Sequence, residues 1–153
     1  MNRFMNIALQ EAKTGVEKQH GGPFGAVVVF ENRIISRAHN QVLFENDPTA
    51  HAEIVAIRKA AKTIGHFHLT GYELYTTCEP CPMCLAAILW ARIKTLYFGC
   101  SRFDAAEIGF KDEEIYRYFD RENASVLQKE QIGRQACLNV FDFWREQQNK
   151  KLY

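Results

Sequence analysis

Phe4, Ile7, Ala8, Ala12 and Val16 recur at the spacing of one helix face, which predicts an amphipathic first helix ending near Gly15 or the Gly21-Gly22 pair. The pattern then changes. Residues 25–30 are a short β-branched run and residues 33–40 a second extended run, and Glu31-Asn32 between them predicts a hairpin. Asp47 is a candidate N-cap with Pro48 at the first helical position, and Ala52, Val55, Ala56 and Ala60 supply the buried stripe of a helix over residues 48–64. From there the order is strand (73–77), helix (82–91), strand (94–99), which favours an α/β layered sheet with helices on its faces. Residues 112–119 predict another helix and 140–150 a last one, in which Phe141, Phe143 and Trp144 form an apolar stripe. Residues 120–135 are polar and carry no clear period.

With 153 residues, 47% of them apolar, the chain is long enough for one domain that buries roughly 70% of its unfolded surface. It needs no disulfide or metal merely to have a core, so a metal would be present for chemistry. Nineteen basic against 18 acidic residues leave a charge of +1, with the signs interspersed until Lys150-Lys151. That balance gives no drive toward nucleic acid or an anionic membrane, and a small neutral partner is the expectation. The longest apolar stretch, residues 83–91, is half of what a bilayer crossing requires, and Gln10, Glu11 and Lys13 interrupt any signal-peptide core. Five cysteines, an odd number, with Cys78, Cys81 and Cys84 crowded together, do not make a disulfide framework. A soluble, intracellular protein with reduced thiols is expected.

Candidate chemistry lies in His51-Ala52-Glu53 and, with Cys81 28 positions after Glu53, Pro80-Cys81-Pro82-Met83-Cys84. One imidazole and two thiolates are zinc ligands of suitable softness, and three protein ligands leave a fourth position open, the mark of a catalytic site. Pro82 fixes a helix start at which Cys81 and Cys84 can face one point, with the helix N-terminus favouring their thiolates. His51 and Glu53, two apart, would point to opposite sides of a regular helix, so the metal must sit off the helix end, with Glu53 reaching a bound water as proton carrier rather than ligand. Alone, His51 would read as a surface or capping residue, and Cys-x-x-Cys as a redox pair or half of a four-ligand structural site. A structural site needs a fourth ligand, for which His66, His68 and Cys78 are the nearby candidates. His66-Phe67-His68 reads as loop, however, and Cys78, Cys100 and Cys137 as small packing residues. The joint occurrence of the His and Cys motifs favours the three-ligand zinc site.

His-x-Glu followed by Pro-Cys-x-x-Cys resembles the zinc-dependent nucleobase deaminases of the cytidine deaminase superfamily. Within them the chain is most similar to the bacterial-type guanine deaminases, through residues 21–27, 46–53, 78–84, the Asp104-Ala105-Ala106-Glu107-Ile108-Gly109-Phe110 segment and the terminal Lys150-Lys151-Leu152-Tyr153. Lys111 departs from the acidic residue expected at its position. The resemblance implies a three-layer α/β/α cytidine-deaminase-like fold, with a mixed central sheet and helices on both faces. It implies one zinc per chain on His51, Cys81 and Cys84, catalysis by Glu53, and deamination of guanine to xanthine and ammonia. It further implies that Phe24 packs on the purine, that Asn40 hydrogen-bonds it, that Asp112 contacts it and helps shuttle protons, and that Tyr153 closes the pocket. Read alone, these would be a core residue, a strand-end turn residue, a helix N-cap and a frayed terminus. A cytoplasmic homodimer with segment 136–153 exchanged between subunits is also implied. Two alternatives remain open at this point, a tRNA adenosine deaminase and a non-enzymatic zinc-stabilised binding module.

Overall fold

The computed structural model describes residues 2–120, 131–146 and 148. Two compact units divide the chain, Met1–Glu113 and Glu114–Tyr153. The first holds helix α1 (Arg3–Glu17), strands β1 (Gly25–Phe30) and β2 (Arg33–His39), the short α2 (Val42–Glu45), α3 (Ala52–Ile64), β3 (Glu73–Cys78), α4 (Pro82–Trp90), β4 (Thr95–Cys100) and α5 (Arg102–Glu107). Helix α6 (Glu113–Phe119) starts at its last residue, and α7 (Arg134–Glu146) belongs to the second unit. Among the described residues no helix is long and apolar enough to cross a membrane.

The sheet is mixed, in the order β2-β1-β3-β4, with β1 antiparallel to both neighbours and β3 parallel to β4 across the α4 crossover. The hairpin turn at Glu31 and Asn32 has φ of 47° and 62°, left-handed at both positions, as a two-residue connection between twisted strands requires. Strand alternation sorts the core into two layers. Val27, Val29 and Tyr75 face α1 with Phe4 and Ala8, whereas Ala26, Val28 and Leu74 face α3 and α4 with Val55, Ala56 and Ile88. Gly25 lets α1 come close, because a Cβ there would lie 2.0 Å from the Ala8 carbonyl oxygen and 2.6 Å from the Ala12 nitrogen. Its own N–H donates to Thr77 Oγ1 at 3.1 Å, pinning the start of β1 to the end of β3.

Two boundaries differ from the sequence expectation. Asp47 does not cap a helix at Pro48; its carboxylate accepts from the Thr49 N–H (2.8 Å) and hydroxyl (2.7 Å), closing a turn, and the helix begins only at Ala52 with His51 as N-cap. The last helix starts at Arg134 rather than 140, inside the segment without a clear period. Its predicted end at 150, like Lys150, Lys151 and Tyr153, lies outside the described residues.

Candidate active site

Because β1 runs against its neighbours, the start of β1 and the ends of β2, β3 and β4 share one edge of the sheet. Phe24, Asn40 and the segments leading to Cys81 and Arg102 all emerge there. Ligand sites of α/β sheets form at the carboxyl ends of the parallel strands, and here that edge also receives the first turns of α3 and α4.

His51 caps α3 from an extended conformation (φ −65°, ψ 153°), and Cys81 caps α4 in the same way (φ −63°, ψ 167°) with Pro82 behind it. Both helices thus direct their positive ends at one place. His51 Nδ1 lies 3.6 Å from Cys81 Sγ and 3.5 Å from Cys84 Sγ, and the three atoms all fall within 4.8 Å of one another. A nitrogen and a sulfur ligand at zinc bond lengths of about 2.05 and 2.3 Å stand about 3.6 Å apart on a tetrahedron. The donor set therefore fits zinc in kind and in spacing.

Charge fits as well. The Cys81 thiol is pulled down to about 4, chiefly by the Cys84 side chain and then by His51 and the helix backbone, while Cys84 is pushed up because it holds the proton shared with Cys81. The thiolate in turn raises His51. A divalent cation at this point would take the place of that shared proton. Glu53, on the first turn of α3, is only 6% exposed, and burial is the main cause of its raised pKa. With His51 outside the helix, the difficulty of two residues facing opposite sides does not arise.

Asn40 is buried, and its Oδ1 accepts from the N–H groups of Gly22 (3.3 Å) and Val42 (3.2 Å), which fixes the amide with Nδ2 as its donor side. Gly21 is required beside it, since a Cβ would lie 2.0 Å from that oxygen. Phe24 is half-buried against the core and meets the edge of Phe110 at 4.9 Å between ring centroids and 84°. Asp112 is half-buried, and burial raises its pKa, with the charges of Cys81 and Glu79 acting in the same direction and Arg102 opposing. Tyr153 lies outside the described residues.

Several residues of this edge had no local signal. Phe110 was visible only as part of a motif, and the Glu79 carboxylate, which accepts from the Arg102 N–H at 3.0 Å, fastens the start of α5 to the cysteine loop. The Ser101/Asp104 capping box that ends this loop has its sequence signal in Ser-x-x-Asp. His66-Phe67-His68 is loop, as expected, and Cys78 is buried and pushed up to about 11 by burial. Cys100 and Cys137, expected as packing residues, are exposed. Cys100 ends β4, the last strand of the sheet among the described residues.

Residues 1–100 match the model for the cytidine and deoxycytidylate deaminase zinc-binding region. The chain is 46% identical over 151 residues to the guanine deaminase of Bacillus subtilis, spanning 98% of this chain and 97% of that protein. The X-ray structure of the B. subtilis guanine deaminase superposes with a TM-score of 0.94, covering 100% of this chain and 99% of the other at 46% identity. A tRNA-specific adenosine deaminase of Agrobacterium fabrum is 49% identical over 96 residues, covering 63% of this chain and 62% of that protein. With its His-Cys-Cys group, its buried glutamate and its mixed sheet, the chain belongs to the family of zinc-binding cytidine and deoxycytidylate deaminases.

Proposed function

We propose that this chain hydrolyses guanine to xanthine and ammonia, with His51, Cys81 and Cys84 holding one zinc and Glu53 as the proton carrier. The observation that carries the reading is the meeting of a zinc-spaced donor set with a buried carboxylate at two helix N-termini, in a chain similar over its whole length to a guanine deaminase. Zinc, when bound, would supply Lewis-acid activation of water at neutral pH. Glu53 accepts the proton of the attacking water, and its raised pKa suits it to keep and return that proton. As the new C–O bond forms at the amino-bearing carbon, protonated Glu53 delivers its proton to the ring nitrogen; Glu53 then passes the remaining proton of the added hydroxyl to the amino group, and the C–N bond breaks to release ammonia as the carbonyl of xanthine forms. Asn40 Nδ2 donates to an acceptor on the base, Phe24 packs on the ring, and Asp112 binds the base and relays protons. Tyr153 closes the pocket. A free base in the cytoplasm is the substrate.

Ammonia release assayed with free guanine, nucleosides and a tRNA anticodon arm tests this directly. Xanthine formation from guanine is expected, with no inosine formed in the RNA. Reaction of the RNA alone would favour the tRNA adenosine deaminase reading, which the similarity to the A. fabrum protein keeps in view. Turnover of nothing, with zinc in place, would favour a binding module.

We further propose a homodimer in which segment 136–153 crosses to the partner. Leu85, Leu89, Phe98 and Phe103 of the first unit and Phe141 of the second are exposed apolar side chains, and a second copy would cover such surface. A Glu53→Ala chain mixed with a chain truncated after Gln148 should then gain activity as subunits reassort, because the truncated chain keeps a sound site and borrows the partner's tail. No gain in demonstrated heterodimers would show that each tail closes its own site.

A further inference from the structure

Behind Asn40 lies a chain of hydrogen bonds that the chemistry above does not use. His20 Nδ1 is 2.9 Å from His39 Nε2, His39 Nδ1 is 3.2 Å from Glu11 Oε2, and Arg37 Nε is 3.2 Å from Glu11 Oε1. His39 is buried, and Gly15 of α1 presses so closely on it that a Cβ at Gly15 would lie 2.9 Å from its ring. His20, at the other end, stacks on Phe44 of α2 at 4.3 Å, and its carbonyl accepts from the Leu43 (3.0 Å) and Phe44 (3.1 Å) N–H groups. The next residues after His20 are Gly21 and Gly22, and the next after His39 is Asn40, so the relay braces both segments that meet at Asn40 Oδ1.

We propose that Glu11, His39 and His20 form a positioning relay that fixes the Asn40 wall of the base pocket and releases it when the two histidines take up a second proton. The inference rests on reading that cleft as the guanine pocket. Its logic is in the donor count. With both rings neutral, His39 Nδ1–H donates to Glu11 and His20 Nδ1–H donates to His39 Nε2. One added proton is accommodated, since a doubly protonated His39 donates to Glu11 on one side and to the bare Nδ1 of a neutral His20 on the other. A second proton sets N–H against N–H at 2.9 Å, and the bond must break. The charged groups around the pair are Glu11 of α1, Lys18 at the cap that follows it and Arg37 of β2, and α2 carries Glu45 beyond Phe44. Burial, the His39 charge and Lys18 all lower the pKa of His20 from 6.5. A group whose folded pKa is lowered contributes its full stabilisation above its unfolded value and loses it progressively as pH falls from there through the lowered folded value. The brace is therefore held above about pH 6.5 and released on acidification.

The variant His20→Phe keeps the stack on Phe44 but can neither bond to His39 nor take a proton. At pH 7.5 its KM for guanine should rise about tenfold, with kcat within about twofold of the parent and zinc content unchanged, since a lost hydrogen bond is worth about that factor. In the parent, KM should climb between pH 7.5 and 5.5, and in the variant that climb should vanish. A KM equal to the parent's, or a pH dependence surviving in the variant, overturns the proposal. Hydrogen exchange of the Leu43 and Phe44 amides, corrected for intrinsic rates, reads the same brace without turnover and without a variant. Their protection in the parent should drop about tenfold from pH 7.5 to 5.5, and protection unchanged with pH overturns the relay. If the parent does not react with guanine at any pH, the functional reading fails and amide exchange alone decides the relay.

Discussion

Replacing Glu53 by glutamine should lower turnover of guanine by roughly 10²- to 10⁴-fold while zinc content and circular dichroism stay those of the parent. Glutamine preserves volume and hydrogen bonding at a position only 6% exposed, so no cavity opens and no neighbour is left unpaired. What disappears is the capacity to accept a proton from the attacking water and return it to the ring and the departing amine. That capacity is helped by burial, which raises the carboxyl's pKa toward neutrality, where a base both accepts and releases readily. Removing an ionisable group from so dry a place costs the fold nothing, and the variant should melt at or above the parent's temperature. The comparison that matters is the rate of ammonia release per zinc-loaded chain. A rate within a few-fold of the parent would remove Glu53 from the proton path, and a large loss accompanied by lost zinc would mark it as part of the metal site instead.

The parts of this protein that were legible in its sequence are those set by neighbours along the chain. The hairpin could be read because Glu31-Asn32 separates two extended runs, and the α4 start because Pro82 stands at the first helical position beside Cys81. Asp47-Pro48 is ambiguous for a local reason too, since an aspartate before a proline suits a tight turn as well as a helix cap, and the Thr49 hydroxyl and N–H tip the choice to the turn. That choice has a consequence for the site, because it leaves His51 in extended conformation at the helix end, where its ring can meet Cys81 and Cys84. The exposure of Cys100 depends on β4 being an edge strand, a fact about sheet order that no window of sequence contains. The pairing of His39 with Glu11 spans 28 positions and two elements, and Phe110 reaches Phe24 from across the sheet edge. Such contacts are made by the fold, so they become visible only with it.

Stripping the metal with a chelator should abolish turnover while leaving the far-ultraviolet circular dichroism in place, and returning zinc should restore activity. The separation is expected because both core layers are built from sheet and helix residues such as Val27, Val28, Leu74 and Ile88, none of them among the metal-spaced donors. Zinc would still raise the melting temperature as its free concentration increases, since the three donors are brought together from two helix ends only in the folded chain. Substitution then assigns the donors. Cys81→Ser should lose most of the zinc and with it the turnover, because serine supplies neither the low-pKa thiolate nor the soft donor. Cys78→Ser, only three positions earlier but outside the donor group, should keep about one zinc per chain. Full zinc in Cys81→Ser would overturn the ligand assignment, and loss of zinc in Cys78→Ser would mean that the metal is held through the end of β3 rather than by the two helix N-termini alone.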